Sequence, residues 1–290
     1  MPEKYLNAKE MLFIIIPVFN RLNFTLSCLE SLKNQSFKNF KIIVVDDGST
    51  DGTSEILSTN YTEVIVLKGD GNLWWTASVN LGIDYALNHG ADWVMTLNND
   101  VIADSDFLLA MYSAAKKNPN AIIGALEMDK NTGKPIYTGE LIDWRRARFN
   151  EVLNTSRQQQ NLSGLHAVSH LPGRGLLIPR HVIEKIGMFD SKSLPHYLAD
   201  YDFTHRAYKY GFPVNINYDA RLLTYPEESG DAQNRVRRNI SGYFNHLFTR
   251  KGGANLSDFT VFTLRNCPRK YLFSFLLLGY ARRILGYWVK

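Results

Sequence analysis

Five short apolar runs, spaced through the first 127 residues, constrain this chain more than any other feature. They read "MLFIII" (11–16), "KIIVV" (41–45), "EVIVL" (63–67), "DWVMTL" (92–97) and "AIIGALE" (121–127). Runs this short and this rich in β-branched residues form buried strands, not helices. Helix-period segments fill the gaps. Leu22, Leu26, Leu29 and Leu32 share one face, a short helix follows Asp51, and Val79, Gly82, Ile83, Ala86 and Leu87 form a second stripe. A fourth helix starts near Asp104 or Ser105. The alternation predicts an α/β fold, a mainly parallel sheet flanked by helices on both faces. Ligands in such folds bind beyond the carboxyl ends of the strands. Three of those ends are polar: Pro17-Val18-Phe19-Asn20, Asp46-Asp47-Gly48-Ser49 and Asn98-Asn99-Asp100. They predict one shared crevice.

From Asp129 to Leu171 the pattern is irregular. Hairpin-like pieces, the basic "WRRAR" (144–148) and the polar "NTSRQQQNLSG" (154–164) suggest a variable insertion with a mobile loop. Strand character returns at "GLLIP" (175–179) and "PVNINY" (213–218), with helices over 180–187 and 199–210. Taken alone, the Asp46-Asp47 cluster reads two ways. Its carboxylates suit a nucleobase imide or a ribose hydroxyl, and equally a turn with Ser49 or Asp51 as helix N-cap. A dinucleotide fold needs G-x-G-x-x-G after its first strand; "PVFNRL" stands there instead.

Read in order, the motifs carry a resemblance. "FIIIPVFNRLNFTLSCLESLKNQSFKNFKIIVVDDGSTDGT", "GDGNLWWTASVNLGIDYAL", "DWVMTLNNDV", "GRGLLIPRHVIEKIGMFD" and "LPHYLADYDFTHRAYKYGF" together resemble family 2 glycosyltransferases, inverting enzymes of the GT-A fold. The likeness spans residues 10–225 and leans towards rhamnosyltransferase-like enzymes of bacterial surface polysaccharide synthesis. It implies that Pro17, Phe19, Asn20, Asp46 and Asp47 hold the nucleotide of a UDP- or dTDP-sugar. It puts Gly71, Asn72, Trp75 and Asn80 beside the donor sugar and diphosphate, with one of Trp74 and Trp75 reaching the site. The family's D-x-D motif falls on Asn98-Asn99-Asp100, which implies Mg²⁺ or Mn²⁺ held by Asp100, the first acid being replaced by Asn98. Arg174 is set to face a phosphate or to form a surface salt bridge. "YLADYDFTHR" resembles E-D-x-D-L-x-x-R, which makes Asp200 the general base, with Ala199 in place of the usual Glu. His196 then lies on the acceptor side, the acceptor being a saccharide or a lipid-linked hydroxyl. Asp202 and Arg206, spaced i, i+4, are expected to pair. Many relatives carry a His where this chain has Tyr225-Pro226. A nucleotidyltransferase would need a Gly-rich, Arg-bearing loop after strand one, and "PVFNRLN" is not one. A non-catalytic binding subunit would be expected to lack Asp100 or Asp200.

The net charge of +5 conceals an asymmetry. Residues 232–290 hold eleven Lys/Arg and one acid, Asp258, so the preceding body is net acidic. A basic extension suggests an anionic partner, membrane or nucleic acid. "YLFSFLLLGYARRILGYWVK" favours membrane. Its apolar part, Tyr271 to Ala281, is well short of the roughly 20 residues that span a bilayer, but fits a helix lying in the interface. The alternative is a helix packed on the body with a solvated basic face. The expected organisation is a GT-A domain over 1–231, donor-binding over 10–127 and acceptor-side over 128–231, with a helical extension over 232–290. Met1 to Glu10 has no signal-peptide pattern, and Cys28 and Cys267 form no disulfide framework. The expectation is a cytoplasmic protein, peripheral on the inner face of the membrane, with no nucleic-acid partner and a homo-oligomer left open.

Overall fold

The structure of the chain, a computed structural model, describes residues 10–153, 162–225 and 239–288. Leu12–Val18 (β1) lies between two parallel neighbours, Phe40–Asp46 (β2) and Trp93–Thr96 (β4), and Ile65–Lys68 (β3) extends β2 in parallel. Beyond β4 the sheet continues through the antiparallel Leu176–Pro179 (β11) to Ile122–Asp129 (β6), then to Val214–Thr224 (β12), parallel to β6. Two three-residue strands, Val101–Ala103 (β5) and Leu165–Ala167 (β10), pair with β12, and Pro135–Tyr137 (β7) pairs with β6.

The unbroken apolar run of β1 follows from burial on both faces. Leu12, Ile14 and Ile16 join the core beneath Leu22–Lys33 (α1) and Phe107–Lys117 (α4), whereas Phe13 and Ile15 meet Val79 and Ile83 of Trp74–Asn88 (α3). Gly82 leaves no room for a Cβ against Ile15, so α3 sits directly on the strand. The buried stripe of α1 is Thr25, Cys28, Leu29 and Leu32; Leu22 and Leu26 are half-buried. Thr53–Asn60 (α2) is preceded by Gly52 at the N-cap, not by Ser49 or Asp51. The helix expected near residue 104 starts at Phe107, because Val101–Ala103 is drawn into the sheet as β5. Arg180–Ile186 (α5) and Ala199–Lys209 (α6) fall where the sequence puts them.

Within the insertion, Glu140–Asp143 (β8) and Arg148–Glu151 (β9) form a hairpin around "WRRAR". Most of "NTSRQQQNLSG", and Pro226, lie outside the described residues. The extension folds as Ile240–Phe248 (α7), Leu256–Asn266 (α8) and Leu272–Gly286 (α9). Phe259 of α8 and Phe275 of α9 form a third small core with Ala147 and Trp144 of the hairpin. Arg282 also donates to the Ala147 and Arg146 carbonyls. One face of α9 is therefore packed, as the second reading required. The other face leaves Phe273 (79%), Leu277 (58%) and Leu285 (61%) exposed. Among the described residues no helix is long and apolar enough to cross a membrane.

Asp258, in the first turn of α8, is buried, and its Oδ2 has no hydrogen-bond partner. Burial pushes its carboxyl up from 3.8 to about 6. The folded state therefore holds this proton more tightly than the unfolded chain does. The resulting stability is fully present below the unfolded value and is lost as pH rises through about 6. The Asp258→Asn variant should melt at higher temperature than the parent at neutral pH, by at most about 3 kcal/mol in stability. That gap should shrink towards zero near pH 4. Thermal melts at the two pH values check it; an equal gap at both would refute the charge-burial explanation.

Candidate active site

The carboxyl ends of β1 and β2 are tied together by the side chains of the first two polar clusters. Asp46 and Asp47 are both buried. Asp46 accepts from the Ser49 amide through Oδ1 (2.9 Å) and from the Ser54 hydroxyl through Oδ2. Asp47 accepts from the Gly71 amide at 2.9 Å and from the Trp74 amide at 3.1 Å. A Cβ at Gly69 would collide with Asp47, so only glycine lets the carboxylate reach across. Asn20 accepts from the Thr50 amide at 2.7 Å, and its own N–H donates to Ser49 Oγ at 2.9 Å. Pro17 pairs with Val45 inside the sheet, and Phe19 beyond it is 51% exposed at the rim. Gly71 and Asn72 are exposed in the loop before α3, where the Asn72 amide donates to Asp70.

Four described non-glycine residues have positive φ, and three of them border this crevice: Asn20, Trp74 and Leu198. A bulky residue held there costs roughly 1–3 kcal/mol, and such strain gathers at functional sites. At Trp74 (φ +59) the compensation is the hydrogen bond to Asp47. The left-handed turn sends the two tryptophans different ways. Trp74 faces the His196 ring at 5.8 Å. Trp75 packs on Phe189 and on Gly173, and its indole N–H donates to Asn98 Oδ1 at 3.2 Å. Asn80 bonds both the amide and the carbonyl of Phe189 (3.2 and 2.8 Å), so its side chain fixes a loop under the site.

At the end of β4 the three polar residues separate in role. Asn99 is buried and its Nδ2 donates to Thr25 Oγ1 at 3.0 Å. Asn98 is held by Trp75. Asp100 accepts from Arg21 Nη1 through Oδ2 at 2.9 Å, while its Oδ1 is buried with no partner. Arg174 is partly buried and not on the open surface. It pairs with the buried Glu127, Nη1 to Oε2 at 2.7 Å, and its charge acts on Asp100. Burial raises the Glu127 carboxyl, and the charges of both Asp100 and Asp200 add to the rise. Arg174→Met would leave a buried carboxylate beside two more acids. Breaking such a pair typically costs about 3–5 kcal/mol. Urea unfolding should show a loss near the lower end, since Arg174 keeps 25% of its side chain exposed; a loss below about 1 kcal/mol would show the pair to be no more than a surface contact.

Asp200 stands in the first turn of α6, behind the left-handed Leu198 that serves as N-cap. Its Oδ2 accepts from the Gly173 amide at 2.8 Å and its Oδ1 from the Tyr201 amide at 2.9 Å. Burial raises its carboxyl; those two N–H groups and nearby His170 pull the other way. His170 is itself buried between Ser169 Oγ (2.8 Å) and Glu140 Oε2 (3.1 Å). Burial and the charge of Lys251 lower His196 to about 4, so its imidazole is neutral near pH 7; its Nδ1 is buried and unbonded. The expected Asp202–Arg206 pair does not form. Arg206 donates instead to the carbonyls of Ile186 and Met188 behind α5, and Asp202 accepts from Asn266 of α8 at 2.8 Å.

Among the described residues no three His, Cys, Asp or Glu side chains converge as a metal cage. The unbonded Oδ1 of Asp100 still fits Mg²⁺ or Mn²⁺ held mainly by substrate phosphates and water, an arrangement that needs only one or two protein carboxylates. Sequence reasoning missed Arg21, Glu127 and His170. Arg21 stands inside the quoted "PVFNRL", and Glu127 is the acid that ends the apolar run "AIIGALE".

The model of the family described as "Glycosyl transferase family 2" matches residues 13–187. An uncharacterized glycosyltransferase of Rickettsia prowazekii (strain Madrid E) is 31% identical over 220 residues, covering 72% of this chain and 61% of its own. One from Rickettsia bellii (strain RML369-C) is 29% identical over 215 residues, covering 72% of this chain and 29% of its own. The chain thus spans less than two thirds of either relative. The crystal structure of GalNAc-T7 with UDP, GalNAc and Mn2+ superposes with a TM-score of 0.61 at 12% identity, covering 97% of this chain and 58% of that one. That likeness speaks for the fold, which is GT-A. With a family match across more than half its length, on a GT-A sheet whose strand ends carry the polar clusters described above, the chain belongs to glycosyl transferase family 2.

Proposed function

We propose that the crevice moves a sugar from a nucleotide-diphosphate donor, UDP- or dTDP-linked, to a saccharide or lipid-linked acceptor hydroxyl, with inversion at the anomeric carbon. One observation carries this reading. Asp100 and Asp200, far apart in sequence, both act electrostatically on the same buried Glu127. Geometry supports the same reading: Trp75 bonds Asn98 and packs on Gly173, whose amide holds Asp200, so we read the donor corner and the base as flanking one reaction volume. Pro17, Phe19, Asn20, Asp46 and Asp47 line the nucleotide side, and Gly71, Asn72, Asn98 and Asp100 the diphosphate side. Trp75, Asn80 and Asn99 act as positioning residues. Arg21 and Arg174 hold positive charge beside Asp100, where the leaving diphosphate becomes more negative. Asp100 would hold a Mg²⁺ or Mn²⁺ ion, which would add to the neutralisation of that charge; the Mn2+ and UDP named with GalNAc-T7 support the choice.

On the acceptor side Asp200 takes the hydroxyl proton as the acceptor oxygen bonds to the anomeric carbon and the bond to the diphosphate oxygen breaks. Its raised proton affinity suits a base that must be ionised near neutrality yet bind a proton in the transition state. The domain limits, 1–231 and 232–290, and the transfer of a hexosyl or rhamnosyl unit into a bacterial surface polysaccharide, belong to the same proposal. So does a peripheral place on a cytoplasmic, anionic membrane surface, supported by the exposed apolar face of α9 and the basic extension. A panel of UDP- and dTDP-sugars, scored for Mn²⁺-dependent binding and slow hydrolysis, tests the activity. Absence of binding across the panel would refute it. Liposome pelleting should rise with anionic lipid and fall with salt, without comparable DNA binding.

A further inference from the structure

α7 presents an apolar stripe that nothing in the described chain covers. Ile240, Phe244 and Phe248 recur at i, i+4 and i+8, and they are 71%, 55% and 61% exposed. Single exposed apolar residues are ordinary, but a whole helical stripe needs an explanation. Phe248 is followed after one residue by Arg250 and Lys251, both exposed. An apolar track ending in two cations matches an amphiphile, a hydrocarbon chain that ends in an anion.

The cationic end lies against the acceptor flank of the crevice. The Arg250 guanidinium sits over the Trp74 ring, 5.7 Å from its centroid, and the same ring meets His196, four residues before Asp200. Arg250 makes no salt bridge within 4.0 Å among the described residues, although its charge acts on the buried Asp258. Stacking on an aromatic face leaves the edge N–H groups of a guanidinium available to phosphate oxygens. His196 adds a buried, unbonded Nδ1. The loop carrying the cations is built, not loose. Gly252 lies so close to the Asn245 and His246 carbonyls that a Cβ would collide, and Asn255 Nδ2 donates to Thr249 O at 2.9 Å. Asn255 also caps α8 through the Ser257 and Asp258 amides.

We propose that Arg250 and Lys251, with Trp74 and His196, form the phosphate subsite for a lipid-phosphate-linked acceptor, whose hydrocarbon lies along the Ile240–Phe244–Phe248 stripe. The inference rests on reading the Asp200 side of the crevice as the acceptor side. It narrows the acceptor from a saccharide or lipid-linked hydroxyl to one anchored through phosphate to a hydrocarbon chain. The extension then does more than touch a membrane: it presents the acceptor to the base.

The probe is farnesyl diphosphate, titrated calorimetrically with UDP and Mn²⁺ already at saturation so that the corner at Asp100 is filled. The parent protein should bind it. Arg250→Gln with Lys251→Gln should weaken binding at least tenfold, and Phe244→Ser with Phe248→Ser by a similar factor, with UDP affinity and the far-UV circular dichroism unchanged. Inorganic diphosphate should compete, and farnesol should bind far more weakly. Parent-like affinity in the Arg250/Lys251 variant, displacement of UDP by the probe, or no binding at all while UDP binds normally would each overturn the proposal. So would single-stranded DNA that competes as well as the diphosphate does. If UDP itself fails to bind, the donor reading fails. The same titration without UDP then still decides the lipid-phosphate subsite.

Discussion

Asp200→Asn should lower turnover by about 10²–10⁴-fold, the usual contribution of a positioned general base, while UDP binding stays within about twofold of the parent value. The carboxylate sits where one oxygen each is held by the Gly173 and Tyr201 amides. Asparagine has nearly the same shape but can accept from only one of those two amides, and it cannot take the acceptor proton. The effect should fall on kcat, because the interaction lost is made in the transition state. The pH profile of the parent carries a second check. Burial holds the Asp200 proton above the ordinary carboxylate range, so kcat/KM should fall on the acid side with a midpoint above 3.8. The variant should lose that limb. Near-normal turnover in Asp200→Asn would remove it as base.

Asp100→Ala should abolish the metal-dependent part of nucleotide binding, so that adding Mn²⁺ no longer raises UDP affinity. The residue is the one charged group of Asn98-Asn99-Asp100, and its unbonded Oδ1 is the oxygen free to serve as ligand. Removing it also releases Arg21 from its 2.9 Å contact. The variant should therefore keep a weak, EDTA-insensitive affinity from Arg21, Arg174 and the nucleoside contacts. If EDTA weakens nucleotide binding equally in parent and variant, Asp100 is not the ligand.

The parts of the fold that sequence reveals are those in which burial dictates composition. β1, β2 and β4 are enclosed on both faces, so their runs are continuous and their ends conspicuous. β5 and β10 have three residues each and only exist because β12 is long enough to pair with them, a fact of the sheet and not of their own sequence. The Glu127–Arg174 pair was hidden for a related reason. It requires β11 to run antiparallel between β4 and β6, and strand order cannot be read from alternation. The i, i+4 spacing of Asp202 and Arg206 said only that they were able to meet; the carbonyls behind α5 and the amide of Asn266 claimed them first. Arg174 was recognisable as a residue near phosphate or a salt bridge, but its buried partner was not. In the extension, sequence offered packing or membrane as rivals, and α9 has one face buried and another exposed.

Donor corner and base, as separate halves of one crevice, should fail separately. UDP titrated with Mn²⁺ into the parent, Asp100→Ala and Asp200→Asn tests it most directly. A Mn²⁺-dependent affinity should appear in the parent, survive in Asp200→Asn and be lost in Asp100→Ala. Equal UDP affinity in all three, or loss in Asp200→Asn with retention in Asp100→Ala, would contradict it.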